Sequence, residues 1–547
     1  MLKYLLLLGA ILCSTIFGQT YQWVNFVSPD YQFNPSNLRS PVAVDNYGNP
    51  VCARLTTFKL IYGSTLYGDI KLEKRNSSGT LMWERMIYGK ADISKIVVDA
   101  ENNVICIGTF RDSVLIDTTT LYQTEVSQNS IIIKTDESGN LLWVLDATSF
   151  APQYSVLTAL ELKPANNILV GATNYNVSAN IYEFSPSGSL VSTILQTDAG
   201  TVSDIDFDIS GNIWVTGFTF NGPISFNGLD TIAPFTYNEY VVKYNSSETA
   251  QWVNFIEDIT VQYFNIETDT FGNGYLSGNI FISTNFGNLV ANGPQWVYDF
   301  FVTKIDPDGN YLWLNEIPPG NPSGDGTIGN SNFLSCSNDG DTYVSGFFRG
   351  QINFGNNVIL SPIHGYDIFV LSYDSDGIIQ WGKAAGGETY NVGSGIIADN
   401  NGSCYVSGVA SQNAIFDTIS ISGEYLNLFL AKLTFDSPVN VDDQLTEHSS
   451  PSDEYLLMQN YPNPFNPSTK IKFKILPVDT KHASSLQMVT LKVYDILGNE
   501  ITSLVNEEKN TGIYEIKFDA SGLPSGIYYY RLTSGNYSET KKMILIK

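Results

Sequence analysis

The sequence predicts an all-β protein of two bodies: a seven-bladed β-propeller with four-stranded blades, followed by a small C-terminal β-sandwich. Three observations predict it. Short runs rich in Val, Ile, Tyr and Phe alternate with Gly, Asn and Asp, and no long helical periodicity interrupts them. A hairpin motif returns along the chain at steps of 46 to 68 residues, and a strand carrying Trp recurs with it in most repeats. The charge is also uneven: Gln19 to Leu456 holds 17 basic and 47 acidic residues, whereas Leu457 to Lys547 holds 11 and 8.

The first element is a leader. Lys3 precedes a largely apolar run of 14 residues, Tyr4 to Phe17, and then Gly18. That pattern reads as a secretory signal peptide over residues 1–18, too short to span a bilayer. No later apolar run is long enough to span one. The formal charge of −26 excludes nucleic acid and anionic membrane surfaces as partners, because both are held by clustered Lys and Arg.

The propeller rests on the two repeated motifs. One is a hairpin with an acid at its turn: DISGNIWVTGF from Asp208, DTFGNGYLSGN from Asp269, SNDGDTYVSGF from Ser337 and DNNGSCYVSGV from Asp399. Weaker copies begin at Asp45, Asp99 and Leu162. The other is an apolar strand, a D/N-x-x-G turn and a strand carrying Trp. Asn76 and Trp83, Asp136 and Trp143, Asn245 and Trp252, Asp306 and Trp313, and Asp374 and Trp381 all stand seven residues apart. Each unit thus holds four strands. One such sheet cannot bury both faces, but blades stacked around an axis can.

The ends of the array imply closure. The chain opens with a lone Trp strand, Tyr21 to Val27, and the last repeat ends without one. The first strand is therefore expected in the last blade, with Trp23, against Asn427–Phe435. In these features the chain resembles the bacterial propeller repeat called SBBP, over about Tyr21 to Ser437.

Chemistry is sparse in the propeller. His364 stands alone there, in a hairpin between second and third strands, so neither a multi-His metal site nor a Ser-His-Asp triad has its parts. Cys52, Cys106, Cys336 and Cys404 sit in different repeats and read as free thiols. Asp45, Asp99, Asp208, Asp269 and Asp399 recur, so they read as turn caps rather than catalysts. Asp306 and Asp374 open turns too short of acids to be calcium loops. Residues that break the repeat are better candidates, and Trp296 and Tyr298 are the candidate ligand contacts, as aromatics that can stack on sugars. No catalytic residue, metal ligand or cofactor is expected.

After Ser437 the composition shifts. Residues 438–457 form an acidic linker rich in Ser and Pro. Pro462, Pro464 and Pro467 then stiffen the chain ahead of alternating strands such as Ile471, Phe473 and Ile475. The pieces QNYPNPFNPSTKIKF, LKVYDILGNEI, GIYEIKFDASGLPSGIYYYRL and KKMILIK closely resemble the type A C-terminal sorting domain of type IX secretion substrates. The resemblance spans residues 458–547. It implies a β-sandwich read by the secretion machinery at the outer membrane, with the cargo released or attached to the cell surface. Its P-x-G-x-Y motif falls on Pro524, Gly526 and Tyr528, and its terminal lysine motif on Lys541, Lys542 and Lys547.

The expected protein is thus an exported propeller, residues 19–437, with a binding or scaffold role toward a glycan or protein ligand. The competing expectation is a carbohydrate-active hydrolase or lyase with carboxylates at one mouth of the channel. Repeat-breaking acids that converge there would favour the enzyme.

Overall fold

The computed structural model describes residues 19–31, 38–63, 65–125, 127–150, 156–163, 166–173, 178–257, 264–280, 283–293, 299–318, 324–399, 402–423, 426–434, 456–457, 460, 467–475, 487–495, 499–510, 512–535 and 537–545. Their regular structure is all strand, apart from one short 3-10 turn at Ala147–Ser149. The chain divides into two compact units, Met1–Gln444 and Leu445–Lys547.

In the first unit the strands pair antiparallel in sets of four. The first set joins Val42–Val44, Pro50–Leu55, Thr65–Arg75 and the start of Leu81–Val98. That last strand runs on to open the second set, with Val104–Ile116, Asn129–Thr135 and Leu141–Asp146. The third set is Val156–Leu162, Ile168–Thr173, Ile181–Phe184 and Leu190–Ile194. The fourth is Asp204–Phe207, Ile213–Phe226, Leu229–Tyr244 and Ala250–Glu257. The fifth is Asn265–Thr268, Gly274–Ile280, Asp299–Ile305 and Tyr311–Glu316. In the sixth, the first strand is split into Asp325–Ile328 and Leu334–Cys336, beside Thr342–Arg349, Asp367–Tyr373 and Ile379–Ala385.

The last set, Val392–Ala398, Ser403–Ser411 and Leu426–Thr434, is completed by the first strand of the chain, Thr20–Val27. Trp23 pairs with Lys432 and Phe26 with Phe429. The expected closure of the last set by the N-terminal strand is therefore present.

The hairpin acids are spent on structure. Asp45 Oδ1 accepts the backbone N–H groups of Tyr47 (2.9 Å) and Asn49 (2.8 Å), and Oδ2 pairs with Lys74 Nζ at 2.7 Å. The same third-strand lysine meets the same acid at Asp99–Lys134 (2.8 Å), Asp208–Lys243 (3.3 Å) and Asp269–Lys304 (3.7 Å). In the third set both charges are exchanged, and Lys163 meets Glu183 at 2.7 Å. In the sixth set both positions are serine, Ser337 and Ser372. A buried charge needs its partner, so the two positions change together.

The Trp motif joins neighbouring sets. Trp83 Nε1 donates to the Glu137 carbonyl at 2.9 Å, in the turn of the next set, and its ring lies over Gly139. Trp23, Trp143, Trp252 and Trp313 do the same toward Ser77, Pro186, Pro307 and Ser375. Through Trp23 the last set is fastened to the first. Their shared core also holds Val42, Cys52, Tyr405 and Leu430.

The first strands of successive sets stand side by side, and that of the last set returns to Val42–Val44. They line the interior. In the sixth set the break between the half-strands projects Ser331 and Asn332 inward. Asn332 Nδ2 donates to Val42 O (2.8 Å) and Ile396 O (3.0 Å), so one side-chain amide links three sets.

The second unit holds two sheets, one of Leu456–Leu457, Ser468–Ile475 and Gly512–Asp519, the other of Glu500–Lys509, Gln487–Tyr494, Gly526–Ser534 and Tyr537–Leu545. They share one core of Leu457, Ile471, Phe473, Ile475, Val489, Leu491, Val493, Tyr530 and Met543 among others. Pro467 accepts from Ala520 N at 2.9 Å where the first long strand begins. Pro462, Pro464 and the linker 438–455 lie outside the described residues.

Candidate functional site

Repetition identifies structural residues, so the departures from it mark the site. Two places before the hairpin acid, the first strands carry Ala43, Val97, Ser335 and Ile397 in four sets. In the third, fourth and fifth sets the same place holds Glu161, Asp206 and Glu267. Strand alternation turns this position inward, so the three carboxyls come together on adjacent strands. Asp204 joins them from two residues earlier. Lys95 reaches it from the second set at 2.8 Å, crossing the first strand of the third.

The carboxyls are enclosed but not sealed. Glu161, Asp206 and Glu267 are each partly accessible. Enclosure still strips most of their hydration, and burial is the leading cause of their shifts. Burial and the charge of Asp206 push Glu161 up to about 8. Burial pushes Asp206 up to about 7, with Asp204 adding to the rise. Burial and the charges of Asp206, Asp204 and Glu161 raise Glu267 well above the usual carboxylate range. Such groups hold protons near neutral pH, so they can donate a hydrogen bond or a proton to a bound oxygen. Among the described residues no group of three or more His, Cys, Asp or Glu side chains has the geometry of a metal site.

Sequence reasoning missed this cluster. Each acid is ordinary in its own strand, and only alignment of the strands two places before the turn would have found it. The aromatics it favoured instead, Trp296 and Tyr298, lie outside the described residues. His364 is exposed in the segment leading to Asp367–Tyr373. The four described cysteines are free; Cys52, Cys106 and Cys404 are buried and Cys336 is partly so.

In the second unit the P-x-G-x-Y residues form one local structure. Tyr528 Oη donates to the Pro524 carbonyl at 2.8 Å, across the turn that leads into Gly526–Ser534. That strand pairs with Tyr537–Leu545, where Tyr530 faces Lys541 and Tyr529 faces Lys542. Asn460 N donates to Tyr530 Oη at 2.7 Å, which ties the start of the unit to the same strand. Lys547 lies outside the described residues.

Residues 459–547 match the family model of the secretion system C-terminal sorting domain. This sorting domain marks the protein for type IX secretion, through the outer membrane to the cell surface or extracellular space. No helix among the described residues is long and apolar enough to cross a membrane. An uncharacterized WD repeat-containing protein of Acanthamoeba polyphaga mimivirus is 21% identical over 453 residues, covering 63% of this chain. The chain spans only 32% of that protein's length. Among solved structures, a subtype N11 neuraminidase-like protein of A/flat-faced bat/Peru aligns with TM-score 0.34 and 8% identity, over 76% of this chain and 94% of its own. Synechocystis apocarotenoid oxygenase aligns with TM-score 0.31 and 10% identity, over 76% and 96%. Likenesses at these scores carry no weight for fold or activity.

Proposed function

We propose that the four-stranded sets are the blades of a seven-bladed β-propeller, residues 19–437, which type IX secretion delivers outside the cell to bind an extracellular ligand. The sorting domain, residues 458–547, is the address, with Pro524, Gly526, Tyr528, Lys541, Lys542 and Lys547 as its motif residues. Closure by Thr20–Val27 and the side-by-side first strands support the ring.

One observation carries the binding role. The recurrent acids, lysines and tryptophans are consumed in holding sets together, whereas Glu161, Asp206 and Glu267 break the repeat and gather inside. A spacer has no use for three enclosed carboxyls, which cost stability. A ligand with hydroxyl or cationic groups has. Trp296 and Tyr298 would add stacking surface.

A second reading is a hydrolase or lyase, favoured by the proton held on Glu161 and Asp206 near neutral pH. A glycan array on the mature protein, with hydrolysis assays on the same glycans, separates the readings. Binding without turnover, weakened in E161Q and D206N, supports the binding role. Turnover lost in those variants establishes the enzyme instead. Neither binding nor turnover leaves a spacer.

A further inference from the structure

The long hairpin of the fourth set carries an aromatic group that neither core nor channel uses. Phe220 and Tyr237 are cross-strand partners on Ile213–Phe226 and Leu229–Tyr244. Phe220 is 50% exposed and Tyr237 38%, both high for aromatic side chains. They are nevertheless held in place. Tyr237 stacks on the buried Phe218, with centroids 6.2 Å apart and planes at 27°. Phe220 stands edge-on to Phe218 at 5.1 Å and 84°, and lies 6.0 Å from Tyr237. A ring with one face against Phe218 presents its other face and its edge to solvent.

The sixth set shows what a closed version looks like. By register, Tyr366, just before the third strand, stands in the place of Tyr237, and Arg349 in the place of Phe220. Its guanidinium lies over the Tyr366 ring at 5.5 Å and pairs with Asp325 at 3.0 Å. That face is taken. In the fourth set that place holds the uncharged, half-exposed ring of Phe220 instead.

We propose that Phe220 and Tyr237 form a stacking platform for a neutral polysaccharide chain. The proposal rests on the extracellular binding role and adds a place and a ligand class. Pre-packed rings offer flat apolar faces at little entropic cost, which suits the apolar face of a sugar. Phe218 to Tyr237 contains no Lys or Arg and a single acid, Asp230, so nothing there would hold an anionic polymer. The net acidity of the chain repels such a polymer as well. A second copy of the chain fits less well. Two half-exposed rings present on the order of 200 Å², against the roughly 800 Å² per partner of a stable interface.

The test is affinity electrophoresis of the full mature chain in gels holding mixed-linkage β-glucan, xyloglucan or galactomannan, with alginate as the anionic comparison. At least one neutral polymer should retard the protein and alginate should not. Phe220→Ala and Tyr237→Ala should each weaken retardation about tenfold, and Tyr237→Trp should preserve it. Equal thermal melting of the variants guards against misfolding. Unchanged retardation of the double alanine variant overturns the platform and leaves the binding role standing. Equal retardation by alginate overturns the ligand class. No retardation by any polymer overturns the platform, and a blank glycan array as well overturns the binding role. A drop in molecular mass by light scattering on the double substitution assigns the rings to a copy interface and overturns the proposal.

Discussion

Gly139 and Glu248 occupy the same turn position in different sets, both with positive φ, at 80° and 66°. The difference is the neighbour. A Cβ on Gly139 would stand 2.7 Å from the Trp83 ring. The third set has no Trp on its last strand, and the turn of the fourth holds a glutamate that pairs with Lys163 instead. Gly139→Ala should therefore cost about 1–3 kcal/mol, from steric overlap and left-handed backbone together. In a Trp83→Ala background Gly139→Ala should cost only about 1 kcal/mol, from the left-handed backbone alone. Denaturant unfolding in both backgrounds checks this, and equal losses would contradict the Trp contact as the cause. The sequence displayed the missing Trp. Its link to Glu248 was hidden, because the two lie in different repeats and meet only in space.

The enclosed carboxyls make a pH prediction. Glu161 and Asp206, and also the buried Asp299 at the start of the fifth set's third strand, keep their protons in the folded protein up to about 8, 7 and 8, chiefly through burial. Unfolded, they ionise near pH 4. Their contribution to stability is complete below that value and is lost as pH rises through the folded values. The unfolding midpoint should fall between about pH 5 and 8.5, and Glu161→Gln should flatten that fall. A midpoint independent of pH, or an unchanged slope in the variant, would contradict the enclosure.

Among elements, the junction of the third and fourth sets departs most from the rest. Lys163 meets Glu183 in its own set and Glu248 in the next, at 2.7 and 2.6 Å, where five other junctions set a Trp ring over a turn Gly. Hydrogen bonds from Lys163, Asn167 and Ser192 outweigh burial and hold Glu183 down to about 2. Lys163→Asp alone should destabilise by about 2–3 kcal/mol, because it sets like charges together. Adding Glu183→Lys restores the arrangement of the other sets and should recover more than half of the loss. Additive losses in this cycle would refute the pairing. Elements with a local signature were legible: turn-and-Trp strands at constant spacing, and the lone first strand that needed a partner. Leu81–Val98 was not, because two sets share it without a break. Nor was the split first strand of the sixth set, since Ser331 and Asn332 read as loop until their distant partners are known.

For the whole molecule, the sequence separates destination from action. The sorting domain was legible because its motifs are dense and contiguous. The carboxyl cluster was not, because it is assembled from three repeats by the fold. Deleting residues 458–547 should leave the first unit folded but retained inside the outer membrane, as cell fractionation would show. Normal surface or medium levels of the truncated chain would contradict the address role.

Pairing of Thr20–Val27 with Leu426–Thr434 joins the two ends of the first unit, and native-state hydrogen exchange tests it most directly. Backbone amides of Thr20–Val27 should be protected and should open together with those of Leu426–Thr434 as denaturant rises. Free exchange of Thr20–Val27 under native conditions, with Leu426–Thr434 still protected, would contradict the closure.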